Sequence, residues 1–365
     1  MAGQASLTVD SNSRVHRELA HMVAQRISDA RLDDLGLDIG PLSPNYFSFT
    51  FPLEVDAHGS RSSVYVKVPK ADVRGGAAMI LPITDEDRRL AEDEARSLDI
   101  LAKEWRSEDL GVSWVRLRTV VPEYNAIVTD RADAAPALDV FRTLDLRRRL
   151  GLRGHAQRLR GAMARWGEAL GRFHQLHARK TIFRAAVDVP KLEFYAREIV
   201  ASRYGPGSLE VAEAFRAIAG LELEAVEVQT LKGIDIRNIM INGQDELFLL
   251  DPGRMKSACR EADLARFVMT YRILYWGSPL FLLGLRPDPT AEAMFFEAYF
   301  AACPPPSPQL LSCFLVKEIL KHWHTAVYSL DLLRWPSGFK RLVAATYITP
   351  YYGRRLAREL KTVTR

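Results

Sequence analysis

TLKGIDIRNIMINGQDELFLLDPGRMKSACREADLARF, residues 230–267, contains two short apolar runs set around a turn signal. Asn238 opens the first run, Ile239 to Ile241. Asn242-Gly243 and the polar Gln244 to Glu246 follow, and the second run, Leu247 to Leu250, ends on Asp251. Apolar runs of this length around Asn-Gly predict a β-hairpin. Such a hairpin brings the Asn238 amide and the Asp251 carboxylate to neighbouring ends of one ladder. Oxygen ligands that are few and partly open suit Mg²⁺ shared with a nucleotide's phosphates better than a closed protein cage.

The 365 residues are enough for two lobes with cores of their own. Apolar residues make up 48% and charged residues 26%, an ordinary globular balance that excludes disordered and collagen-like classes. A net charge of +5 and a pI near 9.1 fit acidic small partners such as nucleotides, and do not call for a specific nucleic acid. Cys259, Cys303 and Cys313 are scattered, odd in number and without metal spacing, which points to a reducing, cytoplasmic setting. The N-terminus has no apolar core behind a basic segment, so no signal peptide is expected. Oligomeric state leaves no mark in the sequence.

Along the chain, residues 1–14 are polar and read as a frayed, disordered N-terminus. Val15 to Arg31 carries Leu19, Met22, Val23 and Ile27 at helical spacing. Phe47, Phe49, Phe51 and Leu53 then alternate with Ser48, Thr50 and Glu54. With DAHGSRSS as the turn and VYVKVPK as the return strand, 46–69 reads as a hairpin. Asp85 to Lys103 reads as a helix capped by Thr84, and Trp114 to Val121 and Asn125 to Thr129 as strands. After the Ala/Pro segment at 132–137, helices are expected over 138–150, 155–178, 192–203 and 209–221, and again from Asp263 onward. The expected fold is therefore α+β and two-lobed. A sheet-plus-helix N-lobe spans 15–130, and a mostly helical C-lobe, 131–365, carries the hairpin.

In this order the pieces resemble the protein-kinase-like superfamily, specifically its aminoglycoside phosphotransferase and choline kinase branch, over roughly residues 45–270. The resemblance implies ATP and Mg²⁺ as cofactors and phosphoryl transfer to a hydroxyl of a small molecule: a sugar, amino alcohol, aminoglycoside or glycan intermediate. It makes Lys67 of VYVK the phosphate-binding lysine, and Glu94 its helix partner, with Glu92 as rival. IVTDR at 127–131 becomes the adenine-binding strand and hinge, which includes Thr129 and Asp130. WGEALGRFHQLHA at 166–178 becomes the long C-lobe helix, Asn238 and Asp251 the metal ligands, and Asp263 a structural anchor.

One element departs from the pattern. The family's catalytic base lies five residues before the metal asparagine, and here that position is Gly233, with Asp235 two residues later. Either a shortened loop lets Asp235 meet the acceptor hydroxyl, with Lys232 stabilising charge, or the chain is a pseudokinase-like binding or regulatory protein. Two basic clusters stand outside the family pattern. Between Arg142 and Arg160 seven arginines face Asp145 alone, and from Lys340 onward seven basic residues face Glu359 alone. Each reads as a solvated helix face. The sharper reading is peripheral contact with an anionic membrane, at the inner face, or with a lipid-linked glycan.

Overall fold

The computed structural model describes residues 2–28, 34–45, 47–71 and 79–364, with side chains described from residue 12. Two compact units form. The first is Met1–Ala135 with Leu231–Gly233 and Asn238–Met255; the second is Pro136–Thr230 with Ile234–Arg237 and Lys256–Arg365.

In the first unit, α1 (Ala2–Ile27) precedes β1 (Leu35–Ile39), β2 (Ser43–Asn45), β3 (Ser48–Ala57) and β4 (Ser60–Pro69). Then come α2 (Asp85–Glu104), β5 (Val112–Trp114), β6 (Leu117–Val121) and β7 (Ala126–Asp130). The main sheet runs β1-β3-β4-β7-β6, with β2 paired to β3. Strand alternation sends Phe49, Phe51, Leu53, Val64, Val66, Val68, Ala126 and Val128 to one side, where Leu19, Val23 and Ala24 of α1 complete a buried cluster. The opposite side meets α2 through Ile127, Ala91 and Leu98. Thr84 caps α2 as expected, in a reciprocal capping box with Asp87.

Several boundaries differ from the sequence reading. The first helix starts at Ala2, so residues 2–14, expected to fray, continue it. Asn12 of that stretch accepts a hydrogen bond from the Ile80 amide, 3.1 Å away. The same helix ends at Ile27, and residues 29–31, expected in it, lie outside the described residues. Phe47 does not share the buried face of its strand and is 57% exposed, because β3 begins after it. The hairpin turn is only His58-Gly59, both with positive φ, and Ser60 to Ser63 already belong to β4. The strand expected over 114–121 splits, since β5 joins another sheet and only Leu117–Val121 pairs with β7.

The second unit holds β8 (Ala135–Pro136, at the boundary), α3 (Ala137–Arg149), α4 (His155–Leu176), β9 (Arg179–Arg184), α5 (Val189–Ala201), α6 (Ala212–Ala219) and β10 (Glu222–Leu231). The hairpin of β11 (Ile239–Ile241) and β12 (Leu247–Leu249) follows in the chain. After it come β13 (Met255–Cys259), α7 (Glu261–Arg272), α8 (Pro279–Leu282), α9 (Pro289–Ala302), α10 (Pro308–Leu332), α11 (Ser337–Val343) and α12 (Thr349–Val363). Gly167 and Gly171 let α4 approach α9 closely: a Cβ at Gly167 would lie 2.1 Å from the Phe295 carbonyl oxygen. The sheet β13-β10-β9 is an addition to the helices expected in this lobe. Its signal was present in Glu222, Glu224 and Glu227 interleaved with Leu223, Ala225 and Val228. The hairpin, expected within the helical lobe, belongs to the first unit, because β12 runs parallel to β5 with Leu247 opposite Val112.

Candidate active site

Lys67 sits on β4 between Val66 and Val68, so the pleat turns it away from the α1 side and toward α2, opposite Ile127 of β7. On α2 the buried stripe Ala91, Glu94, Leu98, Leu101 holds one carboxylate among apolar neighbours, while Glu92 faces solvent. A charge in such a stripe is costly without a partner. Lys67 Nζ supplies it, donating to both Glu94 oxygens at 2.9 and 2.7 Å. Asp251 Oδ2 is 3.0 Å from the same ammonium. Burial alone would lower the Lys67 ammonium, but Glu94 and then Asp251 outweigh it and hold it above its ordinary value. The Glu94 carboxyl is raised to about 7: burial is the largest cause, Lys67 opposes it, and the Asp251 charge adds to the rise.

Asp251 ends the hairpin in a left-handed backbone conformation, φ 35°, a region where Asp is tolerated better than most residues. β11 and β12 pair with Ile239 opposite Leu249, and the Leu250 amide donates to the Asn238 carbonyl at 2.8 Å. The two expected metal ligands therefore flank one end of the same ladder. Asn238 Nδ2 donates to the Gly233 carbonyl at 2.9 Å, which turns its amide oxygen the other way. The hairpin turn is not the two-residue Asn-Gly type. It spans Asn242 to Glu246, with Asp245 at φ 65° and Asn242 Oδ1 accepting from the Gln244 and Glu246 amides.

Gly233 is held where no side chain fits. Its amide donates to the Pro252 carbonyl at 3.0 Å, and a Cβ built on it would lie 1.6 Å from the Asp251 carbonyl oxygen. The position five residues before Asn238 is thus glycine by packing as well as by sequence. Lys232 beside it is exposed.

Asp235 belongs to the second unit, where Arg237 closes on it. The Arg237 amide and Nε donate to Oδ1 at 2.9 and 2.8 Å, and Nη2 donates to Oδ2. Burial pushes the Asp235 carboxyl up, but the Arg237 hydrogen bonds and charge together hold it below its ordinary value. Arg237 was missed in the sequence; an arginine two residues after an aspartate in a turn was the available signal. Thr129 pairs with Tyr65 and Leu117, and Asp130 forms an ion pair with Arg118 at 2.6 Å while its amide donates to the Arg116 carbonyl.

Other singled-out residues are structural. His174 is buried between the Tyr299 hydroxyl, 2.8 Å away, and Asp263, 3.3 Å away, so Asp263 anchors α4. Tyr271, Tyr275, Phe295, Tyr299 and Trp323 are fully buried core. Of the arginines in 142–160, Arg142 binds the Leu274 and Trp276 carbonyls, Arg148 and Arg149 bind Asp145, and Arg160 binds Asp288. All four are bound within the chain, although Arg149 remains exposed. Among the described residues no group of three or more His, Cys, Asp or Glu could hold a metal ion.

No protein-family model matches the chain, and no curated protein matches it. Solved structures similar to it include choline kinase LicA from Streptococcus pneumoniae, at 14% identity and TM-score 0.46, covering 95% of this chain and 99% of that one. Macrolide 2'-phosphotransferase MphH from Brachybacterium faecium is similar at 13% identity and TM-score 0.47, covering 86% and 92%. Aminoglycoside phosphotransferase APH(4)-Ia, as a thermostable mutant in ternary complex with AMP-PNP and hygromycin B, is similar at 11% identity and TM-score 0.47, covering 89% and 94%.

Proposed function

We propose that this protein is an ATP- and Mg²⁺-dependent phosphotransferase acting on a hydroxyl of a small molecule. The observation that carries the reading is Lys67, placed by strand alternation against a buried helix glutamate and the aspartate that closes the hairpin. In this reading Lys67, aligned by Glu94, binds the nucleotide's phosphates. The Asn238 amide oxygen and the Asp251 carboxylate are hard oxygen donors, two in number, which fits a cation that keeps waters and shares phosphate oxygens. Mg²⁺ bound there would neutralise charge on the transferred phosphoryl group. Thr129 and Asp130 lie on the strand assigned to the adenine side.

Asp235 orients the acceptor hydroxyl. Its pairing with Arg237 makes it a weak base, which suits a loose phosphoryl transfer that needs positioning more than proton abstraction. Lys232 lies in the same loop and offers positive charge to the developing phosphoryl oxygens. The basic balance of the chain favours sugars or phosphorylated glycan intermediates over cationic aminoglycosides.

A second reading has one observation in its favour. Gly233 leaves no room for a carboxylate at the family's base position, which suits a pseudokinase-like protein that binds nucleotide without turnover. Thermal shift with ATP, with and without Mg²⁺, followed by turnover against sugars and amino alcohols, separates the two. Metal-dependent stabilisation with turnover supports the enzyme, and stabilisation alone supports the binding protein. No stabilisation removes both. In the enzyme, Asp235→Asn lowers kcat by at least about tenfold, the low end of what a catalytic carboxylate contributes, with nucleotide affinity unchanged.

A further inference from the structure

Residues 331–339 are exposed one after another, yet this run carries Leu332 at 73%, Leu333 at 39%, Trp335 at 41% and Phe339 at 43% exposure. The pattern continues beyond it, with Leu342 at 55% and Tyr347 at 37%. Val343, Ala344 and Ile348 of the same helical stretch are buried, so its inward face is already packed. The outward face of α11 and of the π-helical turn Ala344–Ile348 is therefore apolar where a water-facing helix is normally polar. Sixteen large apolar side chains are exposed among the described residues, and six of them lie between Leu332 and Tyr347. Single exposed apolar residues are ordinary; a run of six marks an interaction surface.

Charge decides what covers it. From Leu332 to Arg358 the sequence has no Asp or Glu but has Arg334, Lys340, Arg341, Arg354, Arg355 and Arg358. Two of these are withdrawn. Lys340 is buried with its ammonium 5.8 Å over the Tyr204 ring, and the Arg355 guanidinium stacks 4.8 Å over Tyr351. Arg334 and Arg341 are exposed amid the apolar residues, and Arg354 and Arg358 are exposed on α12. A second copy of the chain would bring this predominantly basic stretch, with Asp331 at its start as the one exposed acid of the run, against its like, so charge opposes self-association. A surface of phosphates over an apolar layer complements both features. Trp and Phe flanked by basic side chains are the residues that settle at such a boundary. No helix among the described residues is long and apolar enough to cross a membrane, so contact through this face lies along the surface.

We infer that residues 332–347 dock onto an anionic phospholipid bilayer, with Trp335, Phe339 and Leu342 entering the headgroup region and Arg334 and Arg341 meeting lipid phosphates. The inference is independent of the phosphotransferase reading.

The test is co-sedimentation of the full chain with phosphatidylcholine vesicles, with and without phosphatidylglycerol. The wild type is expected to sediment with the anionic vesicles only, and less so as salt is raised. Trp335→Ser/Phe339→Ser/Leu342→Ser and, separately, Arg334→Glu/Arg341→Glu should each weaken that binding at least about tenfold. Both sets are surface changes, and unaltered melting confirms that the fold is kept. Binding indifferent to phosphatidylglycerol, or variants that bind like the wild type, would overturn the proposal. A wild-type dimer that the triple variant converts to a monomer, without vesicle binding, would assign the face to a second copy instead.

Discussion

Asp251 leaves 42% of its side chain exposed and shares a single ammonium with Glu94, whereas Asp235 leaves 13% exposed and is bound through both oxygens by the Arg237 guanidinium. The first arrangement is short of positive charge: two carboxyl groups face one Lys67, and the Asp251 charge adds to the rise that burial imposes on the Glu94 carboxyl. The second is balanced within one turn. A further cation is attracted where charge is unbalanced and gains little where it is already paired. The proposals of cation binding at the hairpin end and of a positioning role for the Asp235 turn rest on that difference.

The largest expected effect tests the unbalanced side. Asp251→Asn removes the surplus carboxylate and keeps the Lys67–Glu94 pair. The protein should stay folded, Mg²⁺-dependent stabilisation by ATP should disappear, and turnover should fall by about 10²–10³-fold, the scale on which single electrostatic contacts act in active sites. Undiminished Mg²⁺ dependence in the thermal shift would break the comparison.

Glu94 offers a test that needs no ligand. A carboxyl raised from its ordinary 4.5 to about 7 holds more protons folded than unfolded between those values. Its contribution to stability is therefore complete below about pH 4.5 and is lost as pH rises through about 7. Against Glu94→Gln, the wild type should lose up to about 3 kcal/mol over that window, read from urea midpoints across pH. Parallel curves for the two proteins would mean that Lys67 satisfies both carboxylates.

Of this site, local periodicity made legible the hairpin, whose paired apolar runs put Asn238 and Asp251 on one ladder. Lys67 and Glu94 were singled out by the family resemblance, and the strand alternation and helical spacing around them are consistent with where they lie, Lys67 on the α2 side and Glu94 on the buried stripe with Leu98. What escaped depends on tertiary placement or on backbone detail. That β12 would pair with β5, far away in sequence, follows from no local pattern. Nor does the contact between Gly233 and the Asp251 backbone, which concerns the absence of a side chain. The β9–β10 pairing was overlooked for another reason: β9 is an edge strand with Ile182 half exposed, so its alternation carries little burial signal.

Gly233 tightens the comparison because it is packed against Asp251 itself. Gly233→Ala forces the Asp251 carbonyl away from a Cβ that would sit 1.6 Å from it, so the hairpin end must move. The expected cost is about 1–3 kcal/mol, with weaker Mg²⁺-dependent nucleotide binding. Gly243→Ala, where nothing lies within 4 Å, is the control and should change stability by no more than about 0.5 kcal/mol. Equal effects at the two glycines would show that the Gly233–Asp251 contact does not hold the site.

The smallest effect is expected on the balanced side. Asp235 has a carboxyl held below its ordinary value, so its contribution to stability is present above the unfolded value and is lost as pH falls through the folded one. Arg237→Met removes the cause and leaves burial, which acts in the opposite direction. The variant should be destabilised by about 1–2 kcal/mol at neutral pH, the penalty for a buried carboxylate without its partner. The deficit should close as the solution is acidified and Asp235 takes up a proton. Because Arg237 is 64% exposed, part of the attraction is screened, which keeps the effect below that at Glu94. A deficit that persists unchanged into acid would place the role of Arg237 in packing, and Asp235 would then not be a charge-balanced group.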